Sequence, residues 1–405
     1  MKTTMVIPSY WSREGAHGTR ETDAVYDHPT PLNEQGTLGR ALESLSVLRD
    51  RDFDVVIIAV PTAEDIEEGV EEKVSRIVSS VSCPVQVHLF TSSHLRRVHE
   101  VMRSIGGEGF AELLSLRGYS CVRNLCLFLP HILGSEIALL IDDDEVFEDP
   151  GFMSRAREFI GRTLDVGFVG AVAGYYLQPD GHWRLKGEMM PWMEPWDKLE
   201  RMNEAFEQVI GTGPRLKETP FVFGGNMVMH RDIFTRIPFD PGVTRGEDID
   251  YLINMRMFGY KFFLDNTLAI KHLPPPKAHT VWKRLREDVL RFVFERTKLR
   301  DQEPVKNMAR VTAEELDPYP GAFLKDDLEA KIERACLMLA DHYRAEGKEI
   351  DAAETLKNIA IAKNAALPGE NSFQRFIRIK KLWEKMMDFS NIDSVKGKVR
   401  GLLAS

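Results

Sequence analysis

Short apolar segments alternate with amphipathic stretches over the first half of the chain. Strand-length apolar segments lie at Thr4–Pro8, Asp54–Val60, Pro84–Phe90 and Ile137–Ile141, and helical patterns lie at Leu38–Leu48, Ala63–Ser80 and Ser120–Leu133. Apolar runs that are bounded by polar turns and separated by helices are typical of a parallel sheet covered on both faces. The pattern therefore predicts an α/β fold, in which ligands bind beyond the carboxyl ends of the strands.

The second half of the chain continues this pattern and then changes character. Further strand-like segments are Val166–Ala173, Phe221–Met229 and Lys261–Leu264, and three prolines follow Leu273. Consecutive prolines interrupt both helices and strands. After them come only helical patterns, around Trp282–Val293 and at Leu328–Ala345 and Ala352–Ala366. We therefore predict an α/β domain over residues 1–280 and a helical extension over residues 281–405.

Two stretches of the predicted α/β domain have no regular periodicity. Ser12–Gly36 connects the first strand to the first helix, and a connection this long is usually functional. The second stretch, Gln178–Pro220, carries Trp183, Trp192 and Trp196 among prolines and charged residues. Either it forms a lid or acceptor-binding loop, or its aromatic residues pack against a neighbouring domain.

Composition and charge limit the class of protein. The chain has 405 residues, of which 43% are hydrophobic and 28% charged, and its formal net charge is −9, so no basic face of a nucleic-acid-binding protein is expected. It contains no apolar run of membrane-spanning length and no N-terminal signal-peptide pattern. Its four cysteines show no metal-type pairing. We therefore expect a soluble cytoplasmic protein with free thiols.

The strongest chemical signal is a run of three aspartates that follows the buried strand Ile137–Ile141. Adjacent carboxylates repel one another, and a bound cation offsets that repulsion. Oxygen ligands of this kind suit Mg²⁺ or Mn²⁺. Because side chains alternate along an extended segment, Asp142 and Asp144 are expected to face one site and Asp143 to point away. The alternative is a solvated acidic turn.

Three further elements carry candidate site residues. Gly224-Gly225 allows the backbone to approach a ligand closely. Glu247-Asp248 begins the helical pattern Ile249–Phe258, where carboxylates either serve chemistry or cap the helix. His272 ends a strand-like run, and a lone histidine there is either a ligand or a structural residue.

The order of these elements resembles that of the GT-A glycosyltransferases, most closely the large inverting family that includes cellulose and chitin synthases. The motifs that carry the resemblance, over roughly residues 3–275, are Met5-Val-Ile-Pro-Ser-Tyr10, Gly118-Tyr-Ser-Cys-Val-Arg-Asn124, Ile141-Asp-Asp-Asp144, Gly224-Gly-Asn226 and Gly246-Glu-Asp248. The chain departs from the family pattern at Trp11, in the long Ser12–Gly36 loop, and in lacking a Gln-x-x-Arg-Trp element. Processive polysaccharide synthesis is therefore not expected.

The resemblance implies a role for each candidate residue. It divides the α/β domain into a nucleotide-sugar half, about residues 1–150, and an acceptor half, about residues 151–280. The implied donor-binding residues are Pro8, Ser9, Tyr10, Arg123, Asn124, Asp142 and Asp143, and the implied acceptor-binding residues are Gly224, Gly225 and Asn226. The implied ligands of Mn²⁺ or Mg²⁺ are Asp144, His272 and Asp142. Asp248 is the implied catalytic base, with Glu247 holding an acceptor hydroxyl and Asp250 as the substitute base.

The implied reaction transfers a sugar from a nucleoside-diphosphate sugar to a hydroxyl acceptor with inversion of the anomeric centre. The sugar is expected to be a hexose. Two other enzymes use related sites: a retaining GT-A enzyme that acts on a small acceptor, and a sugar-phosphate nucleotidyltransferase. The latter usually has a Gly-rich basic loop after its first strand, which Pro8-Ser-Tyr-Trp-Ser-Arg13 does not match. A non-catalytic glycan binder is a further alternative, although Glu247 and Asp248 are intact.

The C-terminal segment raises a separate question about partners. From Arg375 to Arg400 it contains eight Lys or Arg against three Asp or Glu, and Phe376, Ile379, Trp383 and Met386 recur at helical spacing. A basic amphipathic helix of this kind suits peripheral contact with the inner face of a membrane. The alternative is a terminal helix that packs on its own protein or on a second subunit of a homo-oligomer.

Overall fold

A computed structural model of the chain describes residues 1–15, 23–104, 106–275, 280–364 and 370–403. The strands of this part of the chain are β1 (Thr3–Ser12), β2 (Thr30–Pro31), β3 (Asp54–Pro61), β4 (Val87–Phe90), β5 (Ile137–Ile141), β6 (Glu145–Val146), β7 (Thr163–Leu164), β8 (Gly167–Phe168), β9 (Ala171–Leu177), β10 (Leu216–Glu218), β11 (Asn226–His230) and β12 (Phe263–His272). The helices are α1 (Leu38–Ser44), α2 (Glu67–Ser80), α3 (Ser92–Arg103), α4 (Tyr119–Leu133), α5 (Phe152–Glu158), α6 (Lys198–Val209), α7 (Arg231–Phe234), α8 (Glu247–Met257), α9 (Val281–Arg300), α10 (Leu328–Ala345), α11 (Glu349–Asn364), α12 (Ser372–Ser390) and α13 (Asp393–Leu403).

The central sheet has the order β10-β12-β9-β11-β5-β1-β3-β4. Strands β5, β1, β3 and β4 are parallel to one another. Strand β11 is antiparallel to both β5 and β9, and β9 is parallel to β12. Consequently β1, β5, β9 and β12 all run in one direction, and their carboxyl ends meet at one edge of the sheet. The predicted fold class, α/β with a mostly parallel sheet and C-terminal helices, is confirmed.

Each face of the sheet is covered by its own hydrophobic cluster, which explains why β1 is buried at all ten positions. Alternate side chains of β1 point to opposite faces. Val6 packs in the cluster that contains α4, whereas Met5 and Ile7 pack in the cluster that contains α1 and α2. A strand buried on both sides reads as a continuous apolar run, which is the signal that predicted β1, β3 and β5.

The predicted strands other than Ile137–Ile141 differ from the observed ones at one or both ends, and three of them differ most in kind. Segment Phe221–Met229 becomes extended only at Asn226, after the two glycines, and Val166–Ala173 divides between β8 and β9. Segment Lys261–Leu264 belongs to the longer β12, whose pairing with β9 shifts register between Leu264 and Ala269. The polar residues at this bulge have the composition of a turn, which hid the continuation of the strand. Of the predicted helix Ala352–Ala366, the last two residues lie outside the described part.

The C-terminal helices pack on the α/β part of the chain, and this contradicts the membrane interpretation of their apolar stripe. Phe376, Ile379, Trp383 and Met386 are all buried in the main hydrophobic cluster. The indole Nε1 of Trp383 donates a hydrogen bond to the backbone carbonyl of Phe234, at 2.9 Å. The stripe therefore contacts the protein itself. Among the helices that the structure describes, none combines the length and apolar character needed to cross a membrane. The domain boundary near residue 280 stays a prediction.

Replacing Trp383 with Ala is expected to destabilise the fold by about 3–5 kcal/mol, because it leaves a large cavity and an unpaired carbonyl. The free energy of unfolding, measured by denaturant titration, gives this value. Ile392→Ala, at an exposed position of the same segment, is expected to change the stability by less than about 0.5 kcal/mol. Unchanged stability of the Trp383 variant, or flotation of the wild-type protein with anionic liposomes through this helix, would contradict the packing.

Candidate active site

A cavity of about 320 Å³ opens at the edge of the sheet where β1, β5, β9 and β12 end. Residues that follow strand ends far apart in the sequence meet there, together with the first residues of α8. Of the predicted site residues, those that line the cavity are Tyr10, Arg123, Asp142, Asp143, Asp144, Gly224, Glu247, Asp248 and His272. The structure thus brings the three aspartates, the Glu-Asp pair and the histidine into one site.

The three aspartates after β5 have different partners. The Oδ1 atom of Asp142 lies 2.9 Å from Nη2 of Arg123. The Oδ2 atom of Asp143 accepts a hydrogen bond of 2.6 Å from the Ser9 hydroxyl, so this carboxyl turns toward β1 although it also reaches the cavity. Burial raises the pKa of Asp143 to about 8, and the charge of Asp144 acts in the same direction. Burial also raises the pKa of Asp142, against the opposing effect of Arg123.

Asp144 lies opposite His272, with 3.4 Å between its Oδ2 atom and the Nε2 atom of the imidazole. The two-residue strand β6 pairs with the end of β12, so that Glu145 is opposite His272 in the ladder. The backbone N–H of Leu273 also donates to the carbonyl of Asp144, at 2.9 Å. Tyr176 stacks on the imidazole at 4.8 Å between ring centres. Backbone pairing and stacking together hold His272 against Asp144.

The side chains of Asp144 and His272 supply only some of the ligands that a divalent cation needs. Within the described residues, no group of three or more His, Cys, Asp or Glu has the arrangement of a complete metal site. The third predicted ligand, Asp142, is paired with Arg123 instead. Asp144 and His272 remain as a two-ligand set, and Mg²⁺ or Mn²⁺ commonly takes one or two protein ligands plus substrate phosphates and water.

Arg123 connects the two halves of the site. Its buried guanidinium contacts Asp142 through Nη2 and Glu247 through Nε, the latter at 3.2 Å. Its Nη1 atom is buried without a hydrogen-bond partner in the structure. Sequence reasoning gave Arg123 a role at the donor phosphates, but the structure shows that it first bridges the aspartate cluster and the Glu-Asp pair.

Glu247 and Asp248 begin α8, directly after Gly246, whose φ of 76° lies in the left-handed region. Glu247 is buried and tied to Arg123, whereas Asp248 is partly exposed to the cavity. Burial raises the pKa of Asp248, and the nearby Arg291 guanidinium opposes this. Burial likewise raises the pKa of Glu247 against the effect of Arg123. The two adjacent carboxyls therefore differ in accessibility and in partner.

Asp250 does not reach the cavity, which removes it as a substitute base. Its carboxylate is fully buried and forms an ion pair with Lys298, and it also accepts a hydrogen bond of 2.7 Å from the Asn254 side chain. It lies one helical turn into α8, on the side that packs against α9. Helix periodicity explains the error, because residues two positions apart on a helix face different directions.

Gly225 is required by the close approach of two acidic side chains. A Cβ atom at this position would lie 2.3 Å from Oε1 of Glu145 and 2.5 Å from Oδ2 of Asp142. Its backbone N–H also donates to the Tyr176 hydroxyl, at 2.7 Å. The glycine thus lets the start of β11 pack directly against the aspartate cluster.

Replacing Gly225 with Ala is expected to displace the Asp142 carboxylate, lower the stability by about 1–3 kcal/mol and reduce transfer activity. Thermal unfolding and an initial-rate assay test both effects. Gly39→Ala is the matched control, because a Cβ there meets its nearest atom only at 4.0 Å and Gly39 lies within α1. Normal activity of the Gly225 variant would show that the Asp142 position is not critical.

Several predicted ligand-binding residues lie behind the cavity wall and support it. Ser9 holds Asp143, as described above, and the Asn124 side chain exchanges two hydrogen bonds with the backbone of Phe239, at 3.0 and 2.8 Å. Asn226 is fully buried and donates to the Leu268 carbonyl at 3.1 Å. The predicted residues outside the cavity lining are Pro8, Ser9, Asn124, Gly225 and Asn226. These five residues therefore lie outside the cavity lining, and their contacts support the wall.

The polar residues of the cavity wall that sequence reasoning missed include Lys198, Arg245, Arg291 and Tyr319. Arg245 directly precedes the Gly246-Glu-Asp248 motif, and this position was a sequence signal that Arg245 belongs to the site. Arg291 and Tyr319 lie beyond the predicted domain boundary, where only helical periodicity was visible.

The irregular stretch Gln178–Pro220 packs against the C-terminal region and also lines the cavity. Trp196 is buried and packs on Phe323 of the C-terminal region, at 4.9 Å between ring centres. Lys198 and Met202 of α6, in the same stretch, line the cavity. The aromatic residue thus anchors the segment that supplies part of the wall.

The comparison with protein families decides the class of this site. The profile described as "Glycosyltransferase like family 2" matches residues 30–291, which is well over half of the chain. The chain belongs to this family. As a glycosyltransferase, it has the GT-A arrangement that the motifs predicted, with the Asp-rich strand end and the Glu-Asp helix start in one cavity. The comparison with curated proteins gave no significant match.

Solved structures of other glycosyltransferases are similar to this one at low sequence identity. The mannosyltransferase PcManGT from Pyrobaculum calidifontis, in complex with GDP-Man and Mn²⁺, is 16% identical with a TM-score of 0.47, over 96% of this chain and 87% of that chain. GalNAc-T7 with UDP, GalNAc and Mn²⁺ is 12% identical with a TM-score of 0.35, over 91% of this chain and 58% of that chain.

Proposed function

We propose that this glycosyltransferase moves a sugar, a hexose, from a nucleoside-diphosphate sugar to a hydroxyl group of an acceptor, with a divalent cation and with inversion of the anomeric centre. The observation that carries the proposal is the shared cavity, which is lined both by the Asp144–His272 pair and by Asp248. Breaking the anomeric bond requires positive charge at the leaving diphosphate and a base at the attacking hydroxyl. The cavity offers a residue set for each.

The donor side of the site is the end of β1 and β5. A divalent cation, Mn²⁺ or Mg²⁺, bound at Asp144 and His272 supplies positive charge for the departing diphosphate. Arg123 keeps Asp142 in place beside this pair and adds a buried guanidinium at the same wall. Tyr10 lines the cavity, packed against Tyr26 and Tyr119 at 4.4 and 5.3 Å, and this fixed aromatic wall suits the nucleoside.

Asp248 is better placed than Glu247 to act as the base. Glu247 is tied to the Arg123 guanidinium, so its carboxylate is not available to an incoming hydroxyl. Asp248 is partly open to the cavity, and in the described part of the chain no cation lies within ion-pair distance of it. Asp248 would accept the proton of the acceptor hydroxyl while that oxygen attacks the anomeric carbon from the face opposite the leaving group.

The pH profile of transfer is expected to follow the ionisation of Asp248. Because burial raises the pKa of this carboxyl, the active carboxylate form is lost as the pH falls through a value above the ordinary pKa of an aspartate. The ratio kcat/KM should therefore rise with pH along an acidic limb whose midpoint exceeds about 4. A profile that is flat down to the ordinary aspartate range would contradict the assignment.

The proposal is tested by donor binding followed by product analysis. Thermal shifts with UDP-, GDP- and TDP-sugars, each with and without Mn²⁺ or Mg²⁺, should identify one donor whose stabilisation requires the metal. NMR of the anomeric proton of the product should show inverted configuration. Retained configuration would contradict the role of Asp248, and pyrophosphate release from a nucleoside triphosphate and a sugar phosphate would favour nucleotidyl transfer instead.

A further inference from the structure

Three cationic side chains from separate elements converge on the cavity wall that adjoins Asp248. Lys198 is the first residue of α6, Arg245 precedes the left-handed Gly246, and Arg291 comes from the middle of α9. All three line the same cavity as the predicted catalytic residues. Like charges repel one another, so their convergence from three parts of the sequence calls for a group that offsets the repulsion.

The carboxylate that offsets part of this charge stands behind the wall. Asp288 contacts Nζ of Lys198 with both oxygens at 2.7 Å, and its Oδ1 atom lies 3.5 Å from Nε of Arg291. Asp288 itself does not line the cavity, whereas the cations do. Burial alone would raise the pKa of Asp288, but Lys198, Arg291 and Arg245 together lower it to about 2. One buried carboxylate thus serves several cations from their protein side.

Further contacts hold Arg245 and Arg291 at the wall, and the buried carboxyl of Glu295 also acts on Arg291. Arg245 forms an ion pair of 2.9 Å with Asp27 at the rim, and Arg291 donates a hydrogen bond to the Tyr319 hydroxyl. Burial lowers the pKa of Lys198 to about 8; Asp288 opposes this shift, and the charges of Arg291 and Arg245 add to it. The three cations are therefore held in place by the protein and still line the cavity.

The position of the three cations relative to Asp248 assigns them to the acceptor. A Cβ atom at Gly246 would lie 2.6 Å from Cδ of Arg291, so Arg291 packs directly beside the Glu-Asp pair. A Cβ atom at Gly224 would lie 3.0 Å from Nη2 of Arg123 and 3.6 Å from Cβ of Asp248. Arg123, on the donor side, therefore lies near Asp248 on the side of Gly224, whereas Arg291 lies on the side of Gly246. Arg291 thus lies beside Asp248, and Lys198 and Arg245 belong to the same group of cations through Asp288.

We propose that the acceptor of this enzyme carries an oxyanion, a phosphate or a carboxylate, which Lys198, Arg245 and Arg291 bind while its hydroxyl faces Asp248. This inference rests on the proposed function, because it assigns the acceptor side of the same site. The planar guanidinium groups present paired N–H donors that match the oxygens of a phosphate or carboxylate. The ammonium group of Lys198 adds a positive charge that can pair with either a phosphate or a carboxylate. The bound oxyanion would place the rest of the acceptor across the mouth of the cavity.

The test measures oxyanion binding to the full-length enzyme that is already saturated with nucleoside diphosphate and Mn²⁺. Inorganic phosphate and acetate are the two probes, and calorimetry gives the affinity of each. We expect the wild-type protein to bind one of the two in this ternary state, which also distinguishes a phosphate from a carboxylate acceptor. Lys198→Gln and Arg245→Gln should each weaken that binding by about 10-fold, the effect of losing one charge-assisted hydrogen bond.

Two matched variants control for a general loss of charge. Arg201→Gln removes a partly exposed cation of α6, and Arg300→Gln removes an exposed cation of α9. Both should leave probe binding unchanged, and circular dichroism should show that all four variants are folded. Arg291 is left intact because it packs against Gly246 in the buried part of the wall.

Each outcome separates this inference from the proposed function. If nucleoside diphosphate binds with Mn²⁺ but neither probe binds to the ternary state, the oxyanion site is overturned while the proposed function stands. If added nucleoside diphosphate displaces phosphate that binds to the free enzyme, the three cations belong to the donor, and the acceptor assignment is overturned. If nucleoside diphosphate itself fails to bind with Mn²⁺, the proposed function fails, and the acceptor assignment fails with it.

Discussion

Replacing Asp248 with Asn is expected to lower the rate of sugar transfer by about 10²–10⁴-fold while donor binding is retained. The amide keeps the size of the side chain but cannot accept the proton of the acceptor hydroxyl. Asp248 belongs to the start of α8 and not to the Asp144–His272 pair, so its loss should leave the metal-dependent affinity for the nucleoside diphosphate unchanged. Initial rates at saturating donor, together with calorimetry of nucleotide binding, measure the two quantities separately.

Two variants sharpen this result. Asp232→Asn, at an exposed position of α7, removes the same charge without touching the cavity and should leave the rate unchanged. Glu247→Gln should affect both transfer and donor binding, because it releases the Arg123 guanidinium that also holds Asp142. Equal losses of rate and donor affinity in the Asp248 variant would show that this carboxyl binds the donor instead of serving as the base.

Replacing Asp144 with Asn is expected to remove the metal-dependent part of donor binding. Asp144 and His272 are the two proposed ligands of the divalent cation, with 3.4 Å between Oδ2 and Nε2. Even partners of metal ligands change metal affinity by about 10–100-fold, so loss of a ligand itself should weaken binding by at least this factor. Titration of the nucleoside diphosphate at fixed Mn²⁺, and of Mn²⁺ at fixed nucleotide, gives both affinities.

The nucleoside without phosphates provides an internal reference for this variant. Its binding is expected to depend on the aromatic wall around Tyr10 and should be the same in the variant and in the wild-type protein. His272→Gln should act in the same direction as the Asp144 change, and Asp165→Asn, at an exposed position between β7 and β8, should have no effect. Undiminished Mn²⁺ dependence in the Asp144 variant would place the cation elsewhere.

The sequence was sufficient to predict the strand whose end carries the aspartates, whereas of β12, which carries the histidine, only the beginning was predicted as a strand. Strand β5 is a continuous apolar run followed by charge, and its observed bounds, Ile137–Ile141, are the predicted ones. The contact between Asp144 and His272 was harder to predict from the sequence. It depends on β6, a strand of two residues that pairs with the far end of β12, and so short a ladder has no periodic signal.

Residues that act through tertiary packing could not be predicted from local patterns. Arg123 was recognised from its motif, but its bridge to Glu247 joins positions far apart in the chain. The apolar stripe of α12 shows why periodicity alone is ambiguous: helical spacing is the same whether a helix faces lipid or its own protein. Only the contact of Trp383 with the segment after β11 decides between these environments.

The origin of Arg291 and Tyr319 in the C-terminal region has a consequence for the evolution and engineering of this enzyme. The groups proposed to bind the nucleotide and cation come from the first 150 residues and from β12, whereas Arg291 of α9 and Tyr319 come from the segment that follows the proline-rich break. Natural or designed exchange of that later segment would retune which hydroxyl compound is glycosylated without rebuilding the machinery that activates the sugar. Selectivity could thus diversify by recombination at a single junction.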